Sequence, residues 1–162
     1  MKKEVNYKII LLLCFFSIIV GGAFAGLIYY DYNKIELVEV DDYNFSSDIK
    51  FNIDKIEQLK EIGTISFRGW ALKKDDTLKT YENYIVLKEL ETNKMLKVNT
   101  TLEKREDVTK SFNDSYNYDN SGFFAKMKTK YLKKGYKYEI YILYLSDNNK
   151  LLIPTNSYVT IE

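Results

Sequence analysis

The chain has 162 residues, of which 46% are hydrophobic and 29% charged, with a formal net charge of +1. That length holds one ordinary domain plus a short appended segment, and the near-neutral balance argues against a nucleic-acid binder, which would carry a basic excess. There is no histidine and one cysteine, so no disulfide can form within the chain, and the commonest general base and metal ligand is missing.

Residues 1–8 set Lys2, Lys3 and Lys8 against Glu4, and no charged residue follows from Ile9 to Tyr30. As a helix, 9–30 would be about 33 Å long, enough to cross a hydrocarbon core of about 30 Å. Tyr29 and Tyr30 end the run where aromatic rings favour the headgroup layer, and the acidic residues Asp31, Glu36, Glu39, Asp41 and Asp42 follow. The lysines before the span place residues 1–8 in the cytoplasm and the rest of the chain outside it, as a single-pass protein of the cell membrane. Ala23-Phe24-Ala25 fits a signal-peptidase site, and cleavage after Ala25 is the alternative to a retained signal-anchor. The anchor is preferred because Leu27, Ile28, Tyr29 and Tyr30 prolong the apolar run. Cys14 follows Leu11-Leu12-Leu13 without the small residue that a lipidation motif needs, and reads as an apolar helix residue. Gly22 and Gly26 form a Gly-x-x-x-Gly pair, the pattern for helix–helix contact with a membrane partner.

Residues 31–47 read as a polar, acidic tether, and 48–162 as the extracytoplasmic domain. Within it, short alternating or apolar runs at 49–53, 62–72, 81–90, 95–102, 123–131, 136–145 and 151–161 predict strands, with 136–145 central. Polar turns such as Lys73-Lys74-Asp75-Asp76, Glu91-Thr92-Asn93-Lys94, Lys133-Lys134-Gly135 and Asp147-Asn148-Asn149-Lys150 separate them. In the 123–131 run, Phe123, Ala125, Met127 and Tyr131 should face inward, and Phe124, Lys126, Lys128 and Lys130 outward. Only 54–61 and 103–112 have the propensity for a helical turn or two. The class is all-β, a sandwich of about seven strands after one transmembrane helix.

Four marks in chain order carry a family resemblance: Gly69-Trp70-Ala71, Arg105-Glu106-Asp107-Val108, Ser121-Gly122-Phe123 and Leu132-Lys133-Lys134-Gly135-Tyr136. Over about residues 62 to 145 the chain resembles the immunoglobulin-like β-sandwich domains of bacterial surface and carbohydrate-active proteins. The resemblance departs at Glu106, where that pattern has proline. It implies an Ig-like sandwich in a cell-envelope setting and an accessory role, and does not imply a catalytic activity. A bias to Lys, Asn, Ile and Tyr, common in AT-rich bacterial genomes, agrees with that source.

Candidate binding residues follow. Trp70, the only tryptophan, is either a sugar-stacking platform or, the favoured alternative, a core residue between the sheets. Arg105 and Asp107 are either a binding pair or an internal bridge that pins the 103–122 connection; arginine's rigid fork favours the bridge. Tyr116 and Tyr118 are candidates for a ligand-facing aromatic loop. The segment Asn117-x-Asp119-x-Ser121-Gly122 imitates the start of a calcium loop, but Lys128 stands where a bidentate glutamate belongs, so no metal or cofactor is expected. Serines have no histidine to activate them, and no motif sets two carboxylates across a cleft. Lys126, Lys128 and Lys130 read as a solvated face before a site for anionic glycan or lipid. The expectation is a non-enzymatic accessory protein beside surface-polysaccharide machinery, partnered by a membrane protein of the envelope; the alternative is a membrane-tethered or secreted module binding surface glycan.

Overall fold

The computed structural model describes residues 7–33, 35–39, 42–45, 48–74, 81–146 and 149–162. Lys2, Lys3 and Glu4, the turn residues Asp75, Asp76, Asp147 and Asn148, and parts of the expected tether lie outside them. The chain divides into two compact units, one ending at Lys34 and the other running Ile35–Glu162.

The first unit is the helix α1, Tyr7–Asn33. Its apolar residues lie on every side, so it has no core-facing stripe of the kind a soluble helix presents. Tyr7–Tyr30 is long and apolar enough to cross a membrane, and none of that window is buried. The Ser17 hydroxyl donates to the Leu13 carbonyl at 2.7 Å, which satisfies a polar group inside an apolar run.

The second unit is mostly β. Its elements are β1 (Glu36–Leu37), β2 (Asn44–Phe45), β3 (Ile49–Leu59), β4 (Thr64–Lys73), β5 (Tyr81–Glu89), β6 (Met95–Val98), β7 (Thr100–Glu103), α2 (Glu106–Phe112), β8 (Gly122–Lys128), β9 (Lys137–Ser146) and β10 (Asn149–Thr160). They build a six-stranded sheet in the order β1-β6-β5-β9-β10-β2 and a four-stranded sheet in the order β3-β4-β8-β7. Every pairing is antiparallel except that of β10 with β2. Alternating residues of both sheets meet in one core: Ile85, Leu87, Ile140 and Ile142 from the first sheet, Ile65, Phe67, Phe123 and Ala125 from the second. As expected from its long apolar run, β9 is an inner strand of the larger sheet.

Ten strands among the described residues replace the expected seven or so, for local physical reasons. The predicted strand 95–102 is two strands in different sheets. The chain changes sheet at Asn99, whose carbonyl accepts the Lys126 N–H at 3.0 Å. Just beyond it the Thr100 hydroxyl donates to the Val98 carbonyl at 2.8 Å. Residues 54–59, expected to turn helically, continue β3 past a register shift between Ile53 and Lys55. Only Lys60–Ile62 winds into a 3-10 turn, closed by Gly63 at φ 55°. The expected tether also contributes structure. Its residues 36–37 and 44–45 lie at opposite edges of the six-stranded sheet. Between these strands, Val38 and Tyr43 pack on Val86, Tyr141, Leu143 and Leu152, on the sheet face turned away from the shared core. Tyr131, expected inward, is 36% exposed, because β8 stops at Lys128 and a 3-10 turn follows.

Candidate functional site

Three of the four sequence marks meet on the four-stranded sheet. Strand β4 turns Ile65, Phe67 and Ala71 into the shared core, while Trp70 and Leu72 join a separate cluster with Val108, Phe112, Tyr116 and Tyr118. Trp70 is therefore not the residue between the sheets that the sequence favoured. It lies half-buried on the other face of β4, against α2 and the loop that follows. The Phe112 ring meets it edge-on at 5.8 Å and 89°. Phe112 in turn contacts Tyr118 at 5.2 Å, and Tyr116 stacks on Tyr118 at 6.2 Å.

Tyr118 is fully buried. Its hydroxyl donates to Asp114 Oδ2 at 3.0 Å, and its N–H donates to the Thr109 hydroxyl at 2.9 Å. A ring enclosed in this way offers no face to a ligand, which corrects its assignment as a ligand-facing residue. Tyr116 stays half-buried at the margin of the cluster.

Gly69 and Gly122 let the elements approach. A Cβ at Gly69 would lie 2.2 Å from the Asn52 carbonyl oxygen and 2.8 Å from Phe123 Cζ. One at Gly122 would lie 2.5 Å from both Arg105 Cγ and the Glu103 carbonyl oxygen. Gly122 pairs with Trp70 across β4 and β8, so the Arg105 side chain, the glycine and the tryptophan are neighbours.

Arg105 is a clamp. Its Nε and Nη2 donate to the two oxygens of Asp107 at 2.9 and 2.7 Å, and its Nη1 donates to Asp54 Oδ2 at 2.5 Å. Its backbone N–H donates to the Asp119 carbonyl at 2.6 Å. The guanidinium thus ties the start of α2 to the bulge of β3 and leaves little of its fork for a ligand. Through this hydrogen bonding it holds the Asp107 carboxyl down at about 2, while the same bonds push the Arg105 pKa up.

The residues that imitate a calcium loop have protein partners instead. Asn117 Oδ1 accepts the Asp119 N–H at 2.8 Å, and Asp119 Oδ1 accepts the Thr109 hydroxyl at 2.6 Å. These are turn-forming Asx contacts. No three Asp, Glu, Cys or His side chains among the described residues gather to hold a metal ion.

The site also uses residues that the sequence did not single out. Phe112 bridges Trp70 and Tyr118; its spacing of four from Val108 on a helical turn was the available signal. Asp54 reaches Arg105 across 51 positions, a pairing no local pattern announces. Beside them Arg68 lies over the Phe124 ring at 5.2 Å and bridges Glu103 at 3.0 Å. The outer strip of this sheet is thus aromatic and cationic, with Trp70, Phe124, Arg68 and the exposed Lys126. Lys128 is half-buried on the same strand, and Lys130 is exposed in the following turn. In α1, a Cβ at Gly22 or Gly26 would meet nothing within 4 Å.

No family model matches the chain, and neither a curated protein nor a solved structure matches it.

Proposed function

We propose that this chain is a non-enzymatic, single-pass membrane protein of the bacterial cell envelope, with residues 1–8 in the cytoplasm and an Ig-like β unit outside. The β unit serves as an accessory or interaction module beside machinery that makes or exports surface polysaccharide. The observation that carries the proposal is α1: an apolar helix with no buried face, joined to a two-sheet unit with its own core. Supporting it, the sequence marks shared with envelope Ig-like domains act here as packing and clamping residues, which suits a module that presents a surface. The exposed small-residue pair Gly22 and Gly26 supplies a place for a partner helix.

Purification of the full-length chain from host membranes in mild detergent tests it. Uncleaved chain at 19.1 kDa, recovered with a multi-span transferase, polymerase or exporter, is the expected outcome. A shorter, freely soluble product beginning at Gly26 overturns the anchor. Recovery of intact chain alone overturns the accessory role.

A glycan-binding module is the second proposal, supported by the half-buried Trp70 ring beside Arg68 and Phe124. Because Trp70 is the only tryptophan, its fluorescence reports directly on this face. Titration with host polysaccharide should shift it, and an unchanged spectrum under saturating sugar eliminates this proposal.

A further inference from the structure

Away from the aromatic strip, the β5–β6 hairpin, β1 and the segment after β8 enclose a pocket of about 580 Å³. Glu89, only 2% exposed, is one of its lining residues. Covered from water by its neighbours, its carboxylate meets Lys133 Nζ at 2.6 Å. Hydrogen bonding from Lys133 holds the Glu89 carboxyl below its ordinary pKa, so the pair stays ionic. Lys133 is fixed twice more: its Nζ lies 4.7 Å from the Tyr136 ring centre, and its N–H donates to the Tyr138 hydroxyl at 2.8 Å. Yet its side chain remains 53% exposed. An ammonium has three donors, so one already held by Glu89 can still give hydrogen bonds outward, with less rotamer freedom to lose than a free lysine.

Lys94 is the second cation of this pocket, against the single carboxylate of Glu89. Glu91 of the same hairpin turn adds a second negative charge felt at Tyr138. The remaining wall includes Leu37 and Tyr131, 60% and 36% exposed, above the core residue Leu96. Paired cations beside an accessible apolar wall match a ligand with an anionic head and a hydrocarbon body. Leu37 follows the last residue of the apolar helix, Asn33, by only four positions in the sequence.

We propose that this pocket binds the phosphate of an anionic phospholipid. Lys133 and Lys94 bind the phosphate, Glu89 acts as the positioning residue for Lys133, and the first carbons of the lipid lie on Leu37 and Tyr131. The proposal rests on the membrane-anchored reading of the chain.

The test uses the full-length chain in nanodiscs of phosphatidylcholine alone or enriched in phosphatidylglycerol, with lysine acetylation rates read by mass spectrometry. With the anionic lipid, Lys94 and Lys133 should acetylate about tenfold more slowly, as for sites left free a tenth of the time, while Lys126 on the other sheet keeps its rate. The Leu37→Ser variant should lose most of this protection with its circular dichroism unchanged. Equal protection by inorganic phosphate in phosphatidylcholine discs overturns the lipid as the source. Unprotected lysines, or equal slowing at Lys126, overturn the site itself. A chain that fails to enter nanodiscs refutes the anchored reading instead, so the two failures are distinguishable.

Discussion

Gly69→Ala is the most direct probe of the packing that places the candidate site. The added Cβ would lie 2.2 Å from the Asn52 carbonyl oxygen. An ordinary contact needs well over 3 Å, so β3 must withdraw from β4 by about 1 Å at its bulge, where overpacking of this kind costs about 3 kcal/mol. The obstructing atom is backbone, so no rotamer change at Asn52 relieves it. For a β unit of roughly 130 residues that cost lowers the midpoint of thermal unfolding by about 10 °C. The assay is thermal unfolding of the full-length protein in neutral detergent, followed by the circular dichroism of the strands. Gly26→Ala, where a Cβ meets nothing within 4 Å, is the control and should leave the midpoint in place. Phe123→Leu separates the two clashes, because it removes the ring atom 2.8 Å away and leaves the carbonyl. It should restore little of the loss. A drop below about 2 °C in Gly69→Ala, or full rescue by Phe123→Leu, refutes the backbone-contact account.

Arg105→Met removes the clamp and leaves Asp54 and Asp107 unpaired; since both carboxylates keep some contact with water, the expected loss is about 1–3 kcal/mol by urea denaturation. The same pair has a pH signature: Asp107 sits at about 2 in the folded chain, below its unfolded value of about 3.9, so its stabilisation is complete above about pH 4 and disappears as pH falls toward 2. Arg105→Met should flatten that part of the stability–pH curve, and an unchanged slope contradicts the assignment. Tyr118→Phe deletes the hydroxyl bonded to Asp114 and should cost about 1–2 kcal/mol in the same denaturation assay, with no change in any glycan response seen at Trp70. Replacing Gly22 and Gly26 together with leucine should abolish recovery of a membrane partner without altering unfolding of the β unit; unchanged recovery removes α1 from partner contact.

Much of the β unit was legible because period-two alternation survives wherever one strand face meets the shared core. Phe123, Ala125 and Met127 point inward as their spacing predicts. The pattern failed where one strand belongs to two sheets. Residues 95–102 carry no proline or glycine at the break, and the sheet change is set by Asn99 bonding to Lys126, a contact across 27 positions. It failed again at 36–45, because two-residue edge strands are too short to show a period. Trp70 misled for a different reason. A lone tryptophan on a β-strand reads as core, and nothing local shows that α2 and Phe112 cover the opposite face of that sheet. The Arg105 bridge was anticipated from arginine's chemistry, but its main long-range partner, Asp54, comes from a segment expected to be a helical turn.

These placements bear on where recognition can reside. Gly69 and Gly122 serve close approach, Ala71 and Phe123 fill the core, and Arg105 spends its donors on Asp54, Asp107 and packing over Gly122. Residues committed in this way set the geometry of the sheet corner and have little left to offer a ligand. Under the proposed function, recognition falls instead to Arg68 and Phe124 beside the half-buried Trp70 on one sheet, and to the Glu89-held Lys133 with Lys94 at the edge of the other. The two surfaces differ in chemistry, one suited to a flat polar ring and the other to a phosphate. A ligand that shifts Trp70 fluorescence should therefore leave acetylation of Lys94 and Lys133 unchanged, and simultaneous response of both would mean that the sheets communicate through their shared core.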